Sequence, residues 1–493
     1  MKPTDEQQAA IDAYRSGSNV VLEAGAGTGK TTALKLIARS TPKRRGLYLA
    51  FNKSVATEAQ RTFEGTGVLA KTAHSLAFRE FGSPRRDRLS GRMPIWEKQR
   101  YLGVRNLPVA IPGSALSAIP APIVMSMVQE TVNQFCKSGK KRIVADHVSM
   151  HPRLLGLGAT DAHLEQITPA IMRFAQAYWD DVVDLDGGLP VDHDHYLKLW
   201  ALSKPQLDVD FILFDEAQDA DTLMVDVVRR QKHAQVISVG DRCQAIYGWR
   251  GATDALDRFG GDRLRLTQAF RFGDAIAGEA NVWLELLGSD LRLRGLEGAR
   301  SSVHRDKHSH RAPDAILCRT NAGVIVELMR AHETGVSVAI AGESRANQIR
   351  SLAAAALDLL SGQPTRHPDL CMFTTWGAVV EYSETEDGAD LAPLVGIINT
   401  YGAPAILAAI DSCVPADQAE LVVATGHVAK GLEWRHVRIS EEDWREPGRD
   451  EDGNQKPLQK SEAMLAYVAV TRAKRHLDAK ALSWVHTFTG GFV

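Results

Sequence analysis

The stretch "EAGAGTGKTT" (23–32) limits this chain more than any other. It follows "NVVLEA" (19–24), a β-branched apolar run, and precedes "TTALKLIARS", whose apolar residues recur at helical spacing. A strand that enters a helix through a glycine-rich turn is half of a βαβ unit, and such units imply a parallel sheet. The turn reads GxxxxGK[ST], with Ala24 in place of the first glycine. Small residues let backbone N–H groups wrap phosphate oxygens. Lys30 neutralises β/γ charge, Thr31 offers a hydroxyl to Mg²⁺, and the helix N-terminus adds its dipole. Ala24, Gly25, Ala26, Gly27, Thr28, Gly29, Lys30 and Thr31 are therefore the expected nucleotide cradle.

The same grammar continues with "GLYLAF" (46–51), a buried strand, and the helical "SVATEAQRTF". From about 82 to 190 strands vanish, and helical segments broken by Pro and Gly read as an insertion. Strands return with "VDFILFDEAQD" (209–219) and "AQVISVGD" (234–241). A second α/β set is expected after "RFGGDR": "LRLTQAF", "DAILCRT", "VSVAIAG", "AELVVATGH" and "HVRIS", with another insert, Ala-rich and helical at first, between about 346 and 415. At 493 residues the chain exceeds what one core supports. "FILFDEAQD" ends a buried strand in Asp215-Glu216. Asp215 is placed to hold Mg²⁺, and Glu216 to orient and deprotonate the attacking water. Together these motifs describe a P-loop NTPase that hydrolyses its nucleotide.

Several classes drop out. The first twenty residues show no signal-peptide pattern, and no apolar run is long enough to cross a bilayer. The five cysteines lack CxxC spacing and read as buried free thiols of a reducing, cytoplasmic compartment. Net charge is −2, so nucleic acid would have to be held in local grooves. "TPKRR", "SPRRDR" and "KSGKKR" are the basic patches, each also readable as a solvated face. "HRDKHSHR" (304–311) has irregular ligand spacing, which disfavours a metal site. "VDHDHYLKLW" (191–200), read as extended, alternates faces, so Asp192, His193, Asp194 and His195 would not converge on a metal. It reads instead as a return from the helical insert.

"DEAQD", "GDRCQAIYGWRGA", "LTQAFRF", "ATGHVAKGLEW" and "AYVAVTRAK" occur in the order and spacing of superfamily 1 helicases of the UvrD/Rep type. "LAFNKSVA", "DHYLKLW" and "LTQAFRFG" look most like the F-box DNA helicase branch. The resemblance runs from Gln7 to about Arg475. It implies an α/β protein with two RecA-like P-loop motor domains built on parallel sheets, each carrying an inserted subdomain, the first helical and the second small. The expected boundaries are 1–81 and 195–260 for the first motor domain, 82–194 for the helical insertion, 261–345 and 416–493 for the second motor domain, and 346–415 for the small insertion.

By this resemblance Gln244 would reach the γ-phosphate, and Trp249 would stack on a base of single-stranded DNA with Arg250 bracing the strand or loop. One turn would then join nucleotide state to the DNA track. Tyr247 stays open between base contact and packing. Gln7 matches the residue that reads the adenine edge, Phe270 replaces the Tyr that stacks on adenine, and Glu433 matches a ribose contact. Arg271 and Arg472 would be arginine fingers. Phe51, Asn52, Lys53, Thr72, His74 and Ser75 match DNA-backbone contacts in the first motor domain. Arg319, Thr320, Asn321, Thr425, His427 and Lys430 look like their counterparts in the second. For His74 and His427 a hydrogen-bonded structural role stays equally open.

Thr32 stands where many relatives carry an Arg near the adenine, which implies looser base selectivity. The small second insert puts a duplex-gripping role in doubt. No F-box-like leader precedes Gln7, and no nuclease domain is expected after Arg472. The implied activity is an ATP- and Mg²⁺-dependent 3′–5′ DNA helicase acting on single strands and junctions in replication, repair or recombination. It is expected to work as a monomer in the cytoplasm, or in the nucleus if eukaryotic. The rivals are a translocase that clears proteins such as recombinase filaments, a nucleotide-gated DNA-binding module, and an RNA motor.

Overall fold

The computed structural model describes residues 2–492 except 51, 90, 112–116, 248–254, 308–310, 366, 368–369, 372 and 385–390; the side chains at 54, 343 and 344 also lie outside the description. Two compact units result. One comprises Met1–Ala24 and Lys30–Leu266, the other Gly25–Gly29 and Thr267–Val493.

The first unit is built on strands β1 (Val20–Ala24), β2 (Gly46–Ala50), β3 (Val68–Thr72), β4 (Phe211–Phe214), β5 (Gln235–Gly240) and β6 (Asp262–Leu266), in the order β3-β2-β4-β5-β1-β6. Each ladder is parallel. β2, β4 and β5 are buried along their whole length, which is why they read as apolar runs without alternation. Helices Asp5–Arg15 and Lys30–Ser40 pack on one face through Tyr14, Leu34 and Ile37, and helix Thr222–Arg229 packs on the other through Leu223, Val227 and Val228. Between β3 and β4 lies a helical layer with its own core, in which Ala121–Lys137 packs on the long Asp161–Val183.

β6 corrects an expectation. "LRLTQAF" reads as the start of the second α/β set, yet Asp262–Leu266 lies parallel to β1 in register from Val20↔Asp262 to Ala24↔Leu266. The reason is a close backbone approach. Gly261 has φ +130°, and a Cβ there would fall 2.1 Å from Asn19 O, while Asp262 N–H donates to that same carbonyl at 2.8 Å. The Gly-Gly break therefore delivers a strand into the first sheet.

The "VDHDHYLKLW" segment is a second correction. It is helical over His193–Leu202 and not extended. Asp192 is its N-cap, and His195 Nδ1 accepts from the Asp192 N–H at 3.0 Å. Tyr196, Leu197, Trp200 and Ala201 are buried at helical spacing. The boundary expected at 194/195 falls inside this helix.

The second unit holds strands β7 (Ser302–His304), β8 (Ala315–Cys318), β9 (Val338–Ile340), β10 (Leu421–Thr425), β11 (Trp434–Ile439) and β12 (Ala473–Asp478), in the order β7-β12-β11-β8-β10-β9, again all parallel. Among the described residues its insert holds the helices Glu343–Leu360, Trp376–Ser383, Ala392–Tyr401 and Ala403–Asp411, and it shares one core with helix Asn321–Glu333. The last two helices are apolar and meet at 84°, yet Val395, Ile398, Ile406 and Ile410 face that core; among the described residues no single helix is long and apolar enough to cross a membrane. Cys136, Cys243 and Cys318 are buried free thiols as expected, but Cys371 is exposed and Cys413 half-buried, because both sit in the thin insert.

Candidate functional site

In the first sheet the order β2-β4-β5-β1 brings four carboxyl ends side by side, the edge where open α/β sheets bind ligands. β1 delivers the glycine-rich turn, with Lys30 opening the next helix. β4 ends at Phe214, so the next two residues, Asp215 and Glu216, stand at the rim. Glu216 adopts φ 49°, ψ 42°, a left-handed conformation that costs an L-residue about 1–2 kcal/mol. That turn is held by the Glu216 N–H, which donates to Asp215 Oδ1 at 2.9 Å. It brings Glu216 Oε2 within 3.4 Å of Lys30 Nζ.

Burial pushes the Asp215 carboxyl up, the Glu216 charge adds to this, and it reaches about 6 even though Lys30 and the Tyr48 hydroxyl oppose the shift. Tyr48, from β2, donates to Asp215 Oδ2 at 2.5 Å, and its own pKa is raised by burial and then by Asp215. For Lys30 burial favours the neutral amine, but the charges of Glu216, Asp241 and Asp215 outweigh it and raise the pKa. The lysine therefore stays cationic among three carboxylates. Thr31, exposed, offers a hydroxyl and Asp215 a carboxylate, hard oxygen donors of the kind that suit Mg²⁺, and a divalent charge beside Asp215 would offset the Glu216 repulsion that adds to its burial.

From Glu216 a relay runs sideways across the strand ends. Gln218, fully buried, donates from Nε2 to Glu216 Oε2 at 2.6 Å, and its Oε1 accepts the Asp241 N–H at 3.1 Å. Asp241 follows β5, and its Oδ2 accepts from Gln244 Nε2 at 2.7 Å. Gln244 is 4% exposed and joins the Lys30 environment through this chain. Trp249 and Arg250 lie outside the described residues, as does Phe51; Tyr247 is half-buried.

In the glycine-rich turn Gly27 and Gly29 have φ of +71° and +75°, and the Thr28 hydroxyl donates to Gly25 O at 2.8 Å. Within the second unit, Gly27 O accepts from the Phe270 N–H at 2.8 Å. The Ala26 N–H, expected to wrap phosphate, donates to Tyr467 Oη at 3.1 Å. Phe270 is 42% exposed. Arg271 is held by Glu433 (Nε to Oε2, 2.6 Å) and by Thr471 O (3.0 Å). Glu433 also takes Lys474 at 2.5 Å; burial raises its pKa, but the two cations prevail and hold it low. The expected ribose contact is thus engaged with two cations. Arg472 is 2% exposed, and its donors go to Val468 O, Leu432 O and Thr471 Oγ1. Thr32 is half-buried in the helix after the turn. Gln7 is buried, its Oε1 accepting the Thr4 N–H in a capping box.

Three residues expected on DNA are helix N-caps at strand ends. Asn52 caps Lys53–Thr62, Thr72 caps Ala73–Ala77, and Thr320 caps Asn321–Glu333. Each cap satisfies one N–H and leaves the helix N-terminus its positive dipole end, a general phosphate-binding feature. Lys53 and Ser75 are exposed. His74 Nε2 lies 3.1 Å from Asp194 Oδ1 and packs edge-on to His193 and Tyr196, so a structural role is realised while 40% of its side chain is exposed. Arg319 forks onto Glu462 (2.6 and 2.5 Å), and Asp443 accepts the Arg319 and Thr320 N–H groups. Thr425 is buried at the end of β10, while His427 and Lys430 are half-buried in the turn after it.

Sequence reasoning did not single out Tyr48, Gln218, Asp241, Tyr467 or Asp443. Gln218 and Asp241 lie inside quoted motifs and could have been weighed. Tyr48 sits in an apolar run that gives no sign of its hydroxyl's partner.

A family profile described as an AAA domain matches residues 7–250. F-box DNA helicase protein 1 of Schizosaccharomyces pombe is 31% identical over 96% of this chain and 57% of its own length. F-box DNA helicase 1 of Gallus gallus is 28% identical over 97% of this chain and 49% of its own. DNA helicase II of Escherichia coli is 33% identical over 22% of this chain and 17% of its own. The chain thus spans about half the length of its two F-box relatives. A solved structure of the PRRSV helicase is 10% identical with a TM-score of 0.33, covering 96% of this chain and 54% of that one, so the fold rests on the two sheets themselves.

Proposed function

The chain belongs to the UvrD-like superfamily 1 helicases, and from that premise we propose that it is an ATP-dependent DNA helicase that moves 3′ to 5′ on single-stranded DNA. Replication, repair or recombination is the setting, and a monomer suffices. The observation that carries this reading is the unbroken path Lys30–Glu216–Gln218–Asp241–Gln244.

Lys30 offsets the charge of the terminal phosphates and Glu216 takes a proton from the attacking water. Thr31 and Asp215 would hold Mg²⁺, which would supply further charge neutralisation. Arg271 and Arg472, both on the second unit, are the proposed arginine fingers. A change of charge at Glu216 alters the Gln218 amide and, through Asp241, the position of Gln244. Gln244 precedes Trp249 by five residues in the sequence. Stacking of Trp249 on a base would contribute about 1–3 kcal/mol whatever the base, as a motor on arbitrary sequence requires. One base-pair step costs about 1.4 kcal/mol of stacking, within reach of such a grip.

The test is the ATPase rate with and without single-stranded DNA or RNA, followed by strand displacement from 3′-tailed and 5′-tailed duplexes. DNA stimulation with opening of the 3′-tailed substrate supports the reading. A rate indifferent to nucleic acid leaves a nucleotide-gated binding module, and stimulation by RNA alone makes it an RNA motor. Protein clearance without strand displacement makes it a stripping translocase.

A further inference from the structure

The run "KSGKKR" is a motif that the nucleotide machinery does not absorb. In the first unit it forms the turn after helix Ala121–Lys137, and that turn is fixed at several points. Thr222 Oγ1 donates to Lys137 O and accepts the Gly139 N–H, both at 3.1 Å. A Cβ at Gly139 would fall 2.2 Å from Asp226 Oδ2, so a side chain there would displace that carboxylate. From helix His193–Leu202, Lys198 reaches the turn with no exposed surface and donates to Ser138 O and Lys140 O, both at 2.7 Å, with its ammonium 4.0 Å from the Phe135 ring centroid.

Beside the turn is a cavity of about 180 Å³ lined by Lys140, Lys141, Lys198, Lys204 and Arg230, with Asp226 the one carboxylate on its wall. Five cations against one carboxylate is a steep local excess in a chain of net charge −2. Helix C-termini attract cations, which accounts for Lys198 on the turn carbonyls and for Arg230 at the end of helix Thr222–Arg229. It does not account for Lys140, Lys141 or Lys204, which form no ion pair among the described residues.

The cavity also continues a line already drawn. Asp194, which holds His74, and Lys198 stand four residues apart on one helix and so share a face. Lys137, at the start of the run, acts electrostatically on both Asp194 and Asp221. The cavity thus shares helix His193–Leu202 with the carboxylate that holds His74.

We propose that this cavity is a phosphate site for the nucleic-acid backbone, a second grip on the first unit apart from the strand-end track. It rests on the DNA-motor reading above. Its lining of ammonium and guanidinium groups suits a phosphate, a contact that reads no sequence.

The test uses the full chain and a labelled single-stranded oligodeoxynucleotide, with binding followed by anisotropy across a salt series. Lys140→Glu with Lys141→Glu should weaken binding about tenfold or more at low salt and make the log–log salt slope shallower by about 1–2. Lys2→Glu with Arg39→Glu makes the same change in net charge on exposed residues elsewhere in the unit and should leave the slope near wild type. Equal loss in both pairs, or none in the first, overturns the site. A parallel arm compares melting in phosphate and in chloride at matched ionic strength. A phosphate-specific rise that Lys140→Glu/Lys141→Glu abolishes while the DNA slope stays unchanged would assign the cavity to free phosphate and overturn the backbone grip. A wild-type chain that does not bind DNA refutes the motor reading and this site together. Wild-type binding with an unaltered variant slope refutes this site alone.

Discussion

At Gln218 one amide holds two strand ends together, accepting from the backbone of Asp241 and donating to the carboxylate of Glu216. Substituting methionine keeps the volume and removes both bonds. The Asp241 N–H is then left buried without that partner, at a cost of about 1–3 kcal/mol. Gln218→Met should therefore leave the KM for ATP within about threefold, because no nucleotide-binding atom is touched, while stimulation of ATPase by single-stranded DNA falls towards unity. Stimulation equal to wild type would show that the relay is only scaffolding. Lys30→Ala addresses the other end: hydrolysis should fall by about 10²–10³ or more, since a preorganised charge at the reacting phosphate is lost. A steady-state assay that still finds full turnover would remove the P-loop assignment. Lys30, Asp215 and Glu216 were legible because their residue types sit at fixed offsets from a strand end. Tyr48 was not, because which carboxylate a strand tyrosine meets is set by the neighbouring strand's register, Tyr48↔Leu213.

Helix His193–Leu202 shows what a local pattern hides at the scale of an element. Its first turn is Asp-His-Asp-His, which resembles a ligand cluster, but the second histidine closes the N-cap and turns inward. His195 is 1% exposed, packs edge-on to Tyr178 and Trp179, and leaves Nε2 without a hydrogen bond. Burial lowers its pKa to about 4, with Asp192 and Asp194 pulling upward and Lys98 and Arg88 downward. The unfolded chain binds that proton near pH 6.5 and the folded chain only near 4. The stabilisation from a neutral His195 is therefore complete above about 6.5 and is lost as pH falls towards 4. His195→Gln retains a capping side chain and cannot titrate. Thermal melting of this variant should depend less steeply on pH between 6.5 and 4 than that of wild type, and parallel curves would show that the imidazole takes no part. Strand β6 was misplaced for a comparable reason. A Gly-Gly break signals a turn but not which sheet receives the strand that follows, and only the approach of Gly261 to Asn19 decides it.

At the scale of the whole molecule the chemistry is divided. The first unit carries Lys30, the carboxylates and the Gln244 relay, whereas Arg271 and Arg472 belong to the second. Two parallel α/β sheets with helical inserts were readable from apolar runs and glycine breaks. β3 and β7, at the rims of their sheets, and β12, whose Ala473–Asp478 run is interrupted by Lys474, Arg475 and His476, were not. The two arginines differ in a way that sequence could not show. Arg472 spends its donors on carbonyls and a hydroxyl of its own unit, so its removal should disturb the fold along with the chemistry. Arg271 is held by the Glu433 carboxylate and one carbonyl, a pairing that a phosphate could replace. If Arg271 stabilises charge only as the phosphoryl group transfers, Arg271→Ala should lower kcat by about 10³–10⁵ with little change in KM and a melting temperature close to wild type. Arg271→Lys should not restore the rate, because an ammonium lacks the planar fork. Single-turnover hydrolysis measured beside a melting curve decides it: a kcat within about tenfold of wild type, or a loss of rate matched by a loss of folded protein, would make Arg271 a structural partner of Glu433 instead of the group that completes the reaction.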